Sequence, residues 1–486
     1  MGGVPSQGEG TERIPDEVAQ QIAGGKLTTK KAIHAALAVD PKQYPADALA
    51  DWHLLDFMFG RSLSELRSNV HKTISSAEPM GALGRSMGCL LGLVVGDALG
   101  GPLEFVPVSY ASRSVSHGNS TSKAVRSKKR SKQRSSASAP KLENSDKSEN
   151  TSDSTSILMS AGFDASASQW ADKSAERLSN RFELKPGQWT DDGAMALCLA
   201  DSLLACKGLD LLDLRLRFLL WWRYGYCNAF AADADRLATY GNRASIGLGE
   251  TIGQTILEFE RDQQAKTSAG RLHDSGNGSV MRNAPIAIRY HRHLDTAMKA
   301  AWDQSMTTHQ GREAADCARL LTFFCAHAIS TGCSMAAALA HLEEFSAETY
   351  AVACLARGEA EARHEDNKGV DLADRDWSWR TKDYRYAASR AAADPQYVGS
   401  YVMDAMAMAL HCVHITNSFE AAVLRAANTC GDADTVAAIT GQLAGAVYGV
   451  QAIPEDWRET VQRWDRGGDI CVRASQLFLA AESEML

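Results

Sequence analysis

From residue 189 to the C-terminus, apolar residues recur every three or four positions, which is the spacing of amphipathic helices. The clearest runs cover residues 194–205, 211–222, 312–329, 334–345, 402–413 and 433–448. The alternating β-branched runs that are typical of strands are absent from this part of the sequence. The pattern predicts an all-α fold, a compact multi-helix domain with functional residues at helix ends and in Gly-rich connections.

An apolar stretch at residues 87–100 carries a glycine at every fourth position. Residues four apart lie on one face of a helix, so this spacing predicts a buried helix that packs closely against a neighbour. We expect the stretch to be too short for a membrane span, which needs about 18 apolar residues. No stable membrane insertion is therefore predicted, and the polar N-terminus does not resemble a secretory signal.

The composition divides the chain into an extension, a main domain and an insertion. Helical spacing in residues 12–80 predicts a small helical N-terminal extension at 1–80, followed by the main domain at 81–486. At about 109–180 the sequence is rich in Ser, Lys and Arg and has few large apolar residues. Such a segment cannot bury enough surface to offset its chain entropy, which predicts a disordered insertion.

A basic run lies within this insertion. It consists of Lys123, Arg126, Lys128, Lys129, Arg130, Lys132 and Arg134. We favour a solvated linker, and the competing interpretations are a nuclear-import-like segment and an anion-binding arm for nucleic acid or a poly-anionic substrate. No aromatic residues are interleaved with these cations, so base stacking is not expected.

Charge and cysteine usage narrow the class of protein. The net charge of −8 over 486 residues argues against a general nucleic-acid binder, so nucleic acid is expected to bind only through the basic insertion, if at all. The 11 cysteines are scattered singly, as expected in a reducing compartment. We expect a cytoplasmic protein, with nuclear or lipid-anchored locations as alternatives. Lipid anchoring is considered because Met1, Gly2 and Ser6 fit the loose myristoylation pattern.

Two acidic clusters lie far apart in the chain, each beside a predicted helix start. The first contains Thr190, Asp191 and Asp192, and the second contains Asp432, Asp434 and Thr435. Carboxylate and hydroxyl oxygens are the ligands that Mg²⁺ and Mn²⁺ prefer. Two carboxylates about 4 Å apart repel by roughly 4 kcal/mol, so converging acids must take protons or bind cations. The competing interpretation is that each cluster only caps a helix.

Further candidate residues also have two interpretations each. The glycine-rich segment from Gly276 to Met281 is either an anion-binding loop or a plain turn. His309 either touches substrate or caps a helix, and Asp97 is either a substrate contact or a structural aspartate. Tyr401 either faces the cleft or packs in the core or at its rim.

Five motifs occur in one order along the chain. They are Gly96 to Phe105, Trp189 to Asp192, Gly276 to Arg282, Thr307 to His309, and Gly431 to Thr435. This series resembles the ADP-ribosylglycohydrolase family over about residues 84–466, apart from the basic insertion. The resemblance implies an all-α fold, a pair of Mg²⁺ ions with Mn²⁺ as an alternative, and hydrolysis of the bond between ADP-ribose and a modified acceptor. The expected partner is an ADP-ribosylated protein or a small-molecule ADP-ribose conjugate.

Roles are carried over onto the matching positions. The implied metal ligands are Thr190, Asp191, Asp192, Asp432, Asp434 and Thr435. Glu104 is expected to activate or position water, and we count it with Asp191 and Asp434 as the catalytic residues. The expected substrate-binding residues are Asp97, Gly276, Asn277, Gly278, Ser279, Val280, Met281, His309 and Tyr401. The alternatives are a non-catalytic ADP-ribose-binding or structural relative, and an adaptor that acts through its basic arm.

The chain departs from the family pattern in two places. Gly193 follows the first Asp pair, where the family commonly has Thr. Cys430 and Ala433 stand in a motif that often reads GGDTDT in the family. The expected ligands are all present. Gly193 removes one hydroxyl near the metals, which puts ion affinity or hydrogen bonding behind the ligands in doubt, but not the acidic cluster itself.

Overall fold

The computed structural model describes residues 53–76, 81–108, 180–240, 245–271 and 274–483. Within these ranges the regular structure is helical, apart from isolated β-bridges that join Gly276 to Tyr401 and Ala360 to Asp376. The predicted all-α fold is confirmed. The predictions for residues 1–52, for the basic run and for lipidation at Gly2 fall outside the described residues.

Eighteen α-helices are described. They are α1 (Leu54–Phe59), α2 (Leu63–Ile74), α3 (Gly81–Gly100), α4 (Asp191–Cys206), α5 (Leu211–Tyr224), α6 (Ala234–Tyr240), α7 (Glu250–Asp262), α8 (Ala284–Tyr290), α9 (Leu294–Ser305), α10 (Arg312–Thr331), α11 (Met335–His341), α12 (Tyr350–Arg357), α13 (Ala388–Ala393), α14 (Val402–His414), α15 (Phe419–Ala427), α16 (Ala433–Tyr448), α17 (Glu455–Gln462) and α18 (Asp469–Ser483). Short 3₁₀ turns cover Gly60–Ser62, Gly101–Leu103, Asn277–Ser279, Leu342–Glu344, Glu365–Asn367, Leu372–Asp374 and Val450–Ala452.

The centre of the core is the antiparallel pair α3 and α16. A Cβ atom on Gly88, Gly92 or Gly96 would lie 2.5, 2.3 or 2.1 Å from a backbone carbonyl oxygen of α16, so only glycine fits at these positions. Glycine is unfavourable inside a helix, and here the close approach of two backbones explains its use. This packing brings the C-terminus of α3 against the N-terminus of α16, where Asp434 lies.

The length of α3 differs from the sequence prediction. The stretch from Gly81 to Leu103 is long and apolar enough to cross a membrane by composition, which the sequence analysis did not expect. Inside the protein, 94% of an 18-residue apolar window within that stretch is buried. The burial agrees with the predicted core helix.

Part of the predicted N-terminal extension is helical. Helix α2 contacts the end of the main domain through Arg67, whose Nε donates to Asp469 Oδ1 at 2.6 Å. Behind this pair, Arg473 of α18 donates to the buried Asp201 of α4 at 2.7 Å. These ion pairs connect both ends of the described chain to the helix that carries the first acidic cluster. The division at residue 80 stays a prediction.

Candidate active site

The two acidic clusters converge in the structure. One carboxylate oxygen each from Asp191, Asp192 and Asp434 lies within 4.8 Å of the others. Asp191 and Asp192 form the first turn of α4, and Asp434 lies in the first turn of α16. Thr190 also joins the clusters, because its hydroxyl donates to Asp434 Oδ2 at 3.3 Å. Segments that are far apart in sequence therefore form one buried acidic site.

Asp97 braces the start of α4 from behind. Its carboxylate accepts the Thr190 amide at 2.9 Å, the Thr190 hydroxyl at 2.8 Å and the Gly193 amide at 2.7 Å. Thr190, the N-cap of α4, does not cap the helix with its own side chain, so Asp97 satisfies free amide groups at this helix start. Asp97 is fully buried and does not line the cleft. These bonds favour the structural interpretation of Asp97, and its contact with substrate stays a prediction.

The same bracing explains Gly193. A Cβ at this position would lie 2.7 Å from the indole of Trp189 and 3.1 Å from Asp97 Oδ2. Because both neighbours are buried, a threonine here would require them to move. Glycine accommodates the close contact between the helix start and Asp97.

Burial and mutual repulsion disfavour negative charge on the clustered acids. Burial is the main cause that raises the pKa of Asp191 and Asp192 well above the usual range, and Asp434 adds to it. Burial, then Asp434 and Asp432, raise the pKa of Glu104. Burial followed by Asp434 raises the pKa of Asp432 to about 8. Without counter-charge these groups would hold protons at neutral pH.

The oxygen atoms of the acidic site fit divalent cations as ligands. Glu104 Oε2 and Asp192 Oδ1 are buried and have no hydrogen-bond partner among the described residues. Unpaired buried oxygens are costly, and an oxygen-binding cation would satisfy them while offsetting the repulsion. All the available donors here are carboxylate or hydroxyl oxygens, which are the ligands of Mg²⁺ and Mn²⁺.

A cleft of about 740 Å³ opens above the cluster. Glu104, Asp191, Asp432, Asp434 and Thr435 line its acidic base. Thr190 and Asp192 contribute to the cluster without lining the cleft. This volume suits a ligand of nucleotide size.

The segment that begins at Gly276 forms a second part of the lining. The Asn277 amide donates to Ser400 O at 3.0 Å, and its side chain donates to Gly399 O and to Asp432 Oδ2, both at 3.0 Å. A Cβ on Gly276 or Gly278 would lie 3.2 or 2.9 Å from the imidazole of His309. The glycines therefore allow the loop to lie directly on His309 and close to the acids.

Two residues of this segment lie away from the cleft surface. Ser279 and Val280 are fully buried and do not line the cleft, and their contact with substrate stays a prediction. The Ser279 hydroxyl accepts a hydrogen bond from Ser305 at 2.9 Å, and the Val280 carbonyl accepts one from Gln442 at 3.1 Å. Gly276, Asn277, Gly278 and Met281 do line the cleft, as the sequence predicts for a ligand-facing loop.

His309 lines the cleft in a neutral state. Its Nδ1 lies 2.8 Å from the Thr308 hydroxyl. Burial, with a contribution from Arg282, lowers the pKa of His309 to about 3. A neutral imidazole can pair with an uncharged donor or acceptor and supports the backbone of the glycine loop. Its contact with substrate stays a prediction.

Tyr401 does not face the cleft. Its hydroxyl donates to Glu313 Oε2 at 2.5 Å and accepts from Arg375, while its backbone pairs with Gly276. Tyr401 does not line the cleft, which favours the core or rim interpretation, and its contact with substrate stays a prediction.

Two parts of the cleft were not predicted from the sequence. Gly247, with φ of +82°, lies so close to Asp191 that a Cβ would be 1.9 Å from its Oδ1. Phe105, Tyr397 and Arg181 form an aromatic rim, with ring centroids of the first two 5.0 Å apart and the guanidinium 4.7 Å from the Phe105 ring. Gly247 and Gly249, on either side of Leu248, were the sequence signal for the first part. Nothing in the sequence indicated that the rim residues meet.

Together, these features define an all-α protein with buried carboxylates at the base of a nucleotide-sized cleft. The chain belongs to the ADP-ribosylglycohydrolase family, because the model of that family matches residues 78–485. The resemblance seen in the five motifs is confirmed, and membership supports a hydrolase that acts in de-ADP-ribosylation.

Individual relatives agree with this family. The chain is similar to the ADP-ribosylarginine hydrolase Tri1 of Pseudomonas putida, with 29% identity over 79% of this chain and 76% of the relative. It is 28% identical to the ADP-ribosyl-[dinitrogen reductase] glycohydrolase of Rhodospirillum rubrum, over 56% of this chain and 74% of the relative. A solved ADP-ribosylglycohydrolase-related protein complex matches with a TM-score of 0.52 and 23% identity, covering 83% of this chain and all of that chain, which supports the fold.

Proposed function

We propose that this protein is a Mg²⁺-dependent hydrolase that cleaves the glycosidic bond between ADP-ribose and a modified acceptor. The observation that carries the proposal is the convergence of Asp191, Asp192 and Asp434 beside Glu104, with buried carboxylate oxygens that have no partner among the described residues. A protein that only bound ADP-ribose would have no need for so many repelling acids in one place.

Thr190, Asp191, Asp192, Asp432, Asp434 and Thr435 would hold two divalent cations. When bound, the cations supply positive charge that orients ribose hydroxyls and water. Asn277 supports this arrangement from outside by donating to Asp432 Oδ2, which fixes one carboxylate.

Glu104 is the proposed proton acceptor. It lies at the base of the cleft, and its Oε2 has no described partner. Cleavage at the anomeric carbon develops positive charge on the sugar, so a nearby carboxylate both stabilises that charge and accepts a proton from the attacking water. The backbone amides of Gly276 and Gly278 would bind the diphosphate, because glycines allow close approach.

We favour arginine as the modified acceptor. Phe105 directly follows Glu104 in the chain, and both Phe105 and Tyr397 line the cleft. Aromatic faces bind guanidinium groups. Arg181 already stacks on the Phe105 ring at 4.7 Å, so the rim is able to accommodate a guanidinium. The Pseudomonas putida relative carries the name of an ADP-ribosylarginine hydrolase.

The test is release of ADP-ribose from separate arginine-linked and serine-linked substrates, with Mg²⁺ and with chelator. We expect release from the arginine-linked substrate only when Mg²⁺ is present, and at least a hundredfold loss in Asp434→Asn. Release that persists in chelator would contradict the metal dependence. ADP-ribose binding without any release would identify a non-catalytic binding relative instead.

A further inference from the structure

A hydrogen-bonded cluster outside the cleft joins three separate parts of the chain. Glu313 lies in the first turn of α10, Arg375 lies in the loop between α12 and α13, and Tyr401 immediately precedes α14. The Tyr401 hydroxyl donates to Glu313 Oε2 at 2.5 Å, and Arg375 donates to Glu313 Oε1 at 2.5 Å and also to the Tyr401 hydroxyl. None of the three lines the cleft.

The outer side of this cluster is fixed by a buried acid. Arg375 Nε donates to Glu361 Oε1 at 2.8 Å, and the same oxygen accepts Trp377 Nε1 at 2.9 Å. Asn367 donates to the other oxygen of Glu361 at 3.0 Å. Glu361, Trp377 and Asn367 are buried, so the guanidinium of Arg375 is held in one orientation.

The inner side of the cluster is bonded to the glycine loop of the cleft. Tyr401 forms a β-bridge with Gly276. On either side of this bridge, the Asn277 amide donates to Ser400 O at 3.0 Å and the Val402 amide donates to Ser275 O at 3.0 Å. A shift of the Tyr401 backbone would therefore move Gly276, Asn277 and Gly278, which line the cleft.

We propose that Glu313, Arg375 and the Tyr401 hydroxyl are positioning residues for substrate binding. They hold residues 399–401 in place, and that segment in turn sets the position of the Gly276 to Gly278 backbone. This inference rests on the proposed function for its kinetic consequences. Because Asp97 holds the start of α4 through the Thr190 and Gly193 amides, loss of the positioning network is expected to leave Asp191 and Asp192 in place.

The first measurement is hydrogen exchange, which needs no substrate. In Tyr401→Phe and Glu313→Gln we expect the Asn277 and Val402 amides to exchange at least tenfold faster, with unchanged exchange in the centre of α10. Glu260→Gln is the matched control. Glu260 accepts a hydrogen bond from Arg223 at 2.5 Å, and its side chain is about as exposed as that of Glu313. It lies in α7, eight residues after Ile252, which lines the cleft. Unchanged exchange in both variants would overturn the proposal, whether or not the protein proves to be a hydrolase.

The second measurement is steady-state hydrolysis of the substrate on which the wild type acts. We expect the KM of Tyr401→Phe and Glu313→Gln to rise about tenfold, with kcat within about twofold. Arg375→Lys keeps the charge but loses the forked geometry, so an intermediate KM is expected. A lower melting temperature with unchanged KM would assign the cluster a purely structural role. Failure of the proposed function would appear differently, as a wild type without turnover but with faster exchange in the variants.

Discussion

Gly92 of α3 and Gly441 of α16 meet backbone to backbone, so closely that a Cβ on Gly441 would lie 1.9 Å from the Gly92 carbonyl oxygen. Neither helix can rotate or slide along the other without losing this contact. Because the acids of the second cluster lie in the first turn of α16, the glycine contact sets their distance from Glu104 and Asp97.

Gly441→Ala is therefore expected to destabilise the fold, even though alanine is the better helix former. Backbone atoms cannot move away as a flexible side chain could, so we expect a loss of about 2–4 kcal/mol in the free energy of unfolding. Gly208→Ala is the control, because a Cβ there meets only the Tyr290 hydroxyl at 3.5 Å. Denaturant titration measures both, and an unchanged or higher stability in Gly441→Ala would contradict the close packing.

The bracing by Asp97 predicts a change in cation response. Asp97→Asn replaces one acceptor oxygen by an amide donor that faces the Thr190 and Gly193 amides, so the start of α4 loses its alignment. We expect a loss of about 1–3 kcal/mol in stability and a smaller rise in melting temperature on adding Mg²⁺.

Asp316→Asn provides a matched control for Asp97. Asp316 also accepts two amides and a hydroxyl, from Glu348 and Thr349, at 2.8, 2.8 and 3.0 Å. We expect a similar loss of stability with an unchanged response to Mg²⁺. Equal Mg²⁺ responses in the two variants would show that Asp97 does not support the acidic site.

Asp192→Asn is expected to have opposite effects with and without cations. In chelator the buried Asp192 carboxylate destabilises the fold, so its replacement should raise the free energy of unfolding by about 1–3 kcal/mol. On adding Mg²⁺, the melting temperature of the variant should rise less than that of the wild type, because one metal ligand is missing. Thermal melts with Mg²⁺ and with chelator test both statements.

Asp201→Asn on the same helix gives the contrast. Asp201 is paired with Arg473 at 2.7 Å, so its removal leaves a buried cation unpaired and should be destabilising in both conditions. If Asp192→Asn behaved like Asp201→Asn in chelator, the repulsion in the acidic cluster would be refuted.

Glu258 of α7 predicts an acid-dependent loss of stability. Burial opposes its ionisation, but hydrogen bonds from Ser268, Thr267 and Arg215 outweigh burial and lower the pKa of Glu258 to about 2. Since the folded pKa lies below the ordinary glutamate value of 4.5, this contribution is complete above about pH 4.5 and is lost as the pH falls toward 2. Glu258→Gln should lower stability at pH 7 by about 1–3 kcal/mol and flatten its decline between pH 4.5 and 2, measured by denaturant titration. An unchanged slope would contradict the low pKa.

The sequence predicted the helical fold and the acidic cluster because their signals are local. Helical spacing is visible in 14 to 20 residues, as in α5 and α10, and paired acids beside a helix start are visible in four. Asp97, Tyr401, Ser279 and Val280 were assigned to the substrate because they lie in or beside the right motifs. In the structure Asp97, Tyr401 and Ser279 bond to Gly193, Glu313 and Ser305, and no local pattern reveals these contacts because the partners lie far away in sequence.

The aromatic rim was not predictable for the same reason. Phe105 and Tyr397 are separated by most of the domain, and Arg181 follows the insertion. Their meeting depends on the pairing of Phe105 with Gly431, whose carbonyl accepts the Phe105 amide at 2.9 Å. No local pattern encodes that contact.

The rim predicts acceptor selectivity. Tyr397 is 43% exposed and lines the cleft, so Tyr397→Ala removes an aromatic surface from the rim with little expected effect on the core. We expect kcat/KM for an arginine-linked substrate to fall about threefold to tenfold, as loss of one cation–π contact implies, and kcat/KM for free ADP-ribose esters or serine-linked substrates to change less. Tyr240→Ala is the control, because Tyr240 is 52% exposed and contacts the Arg236 guanidinium at 5.3 Å but does not line the cleft. An equal fall for all substrates in Tyr397→Ala would mean that the rim holds the ADP-ribose part, and an unchanged kcat/KM would remove the rim from substrate recognition.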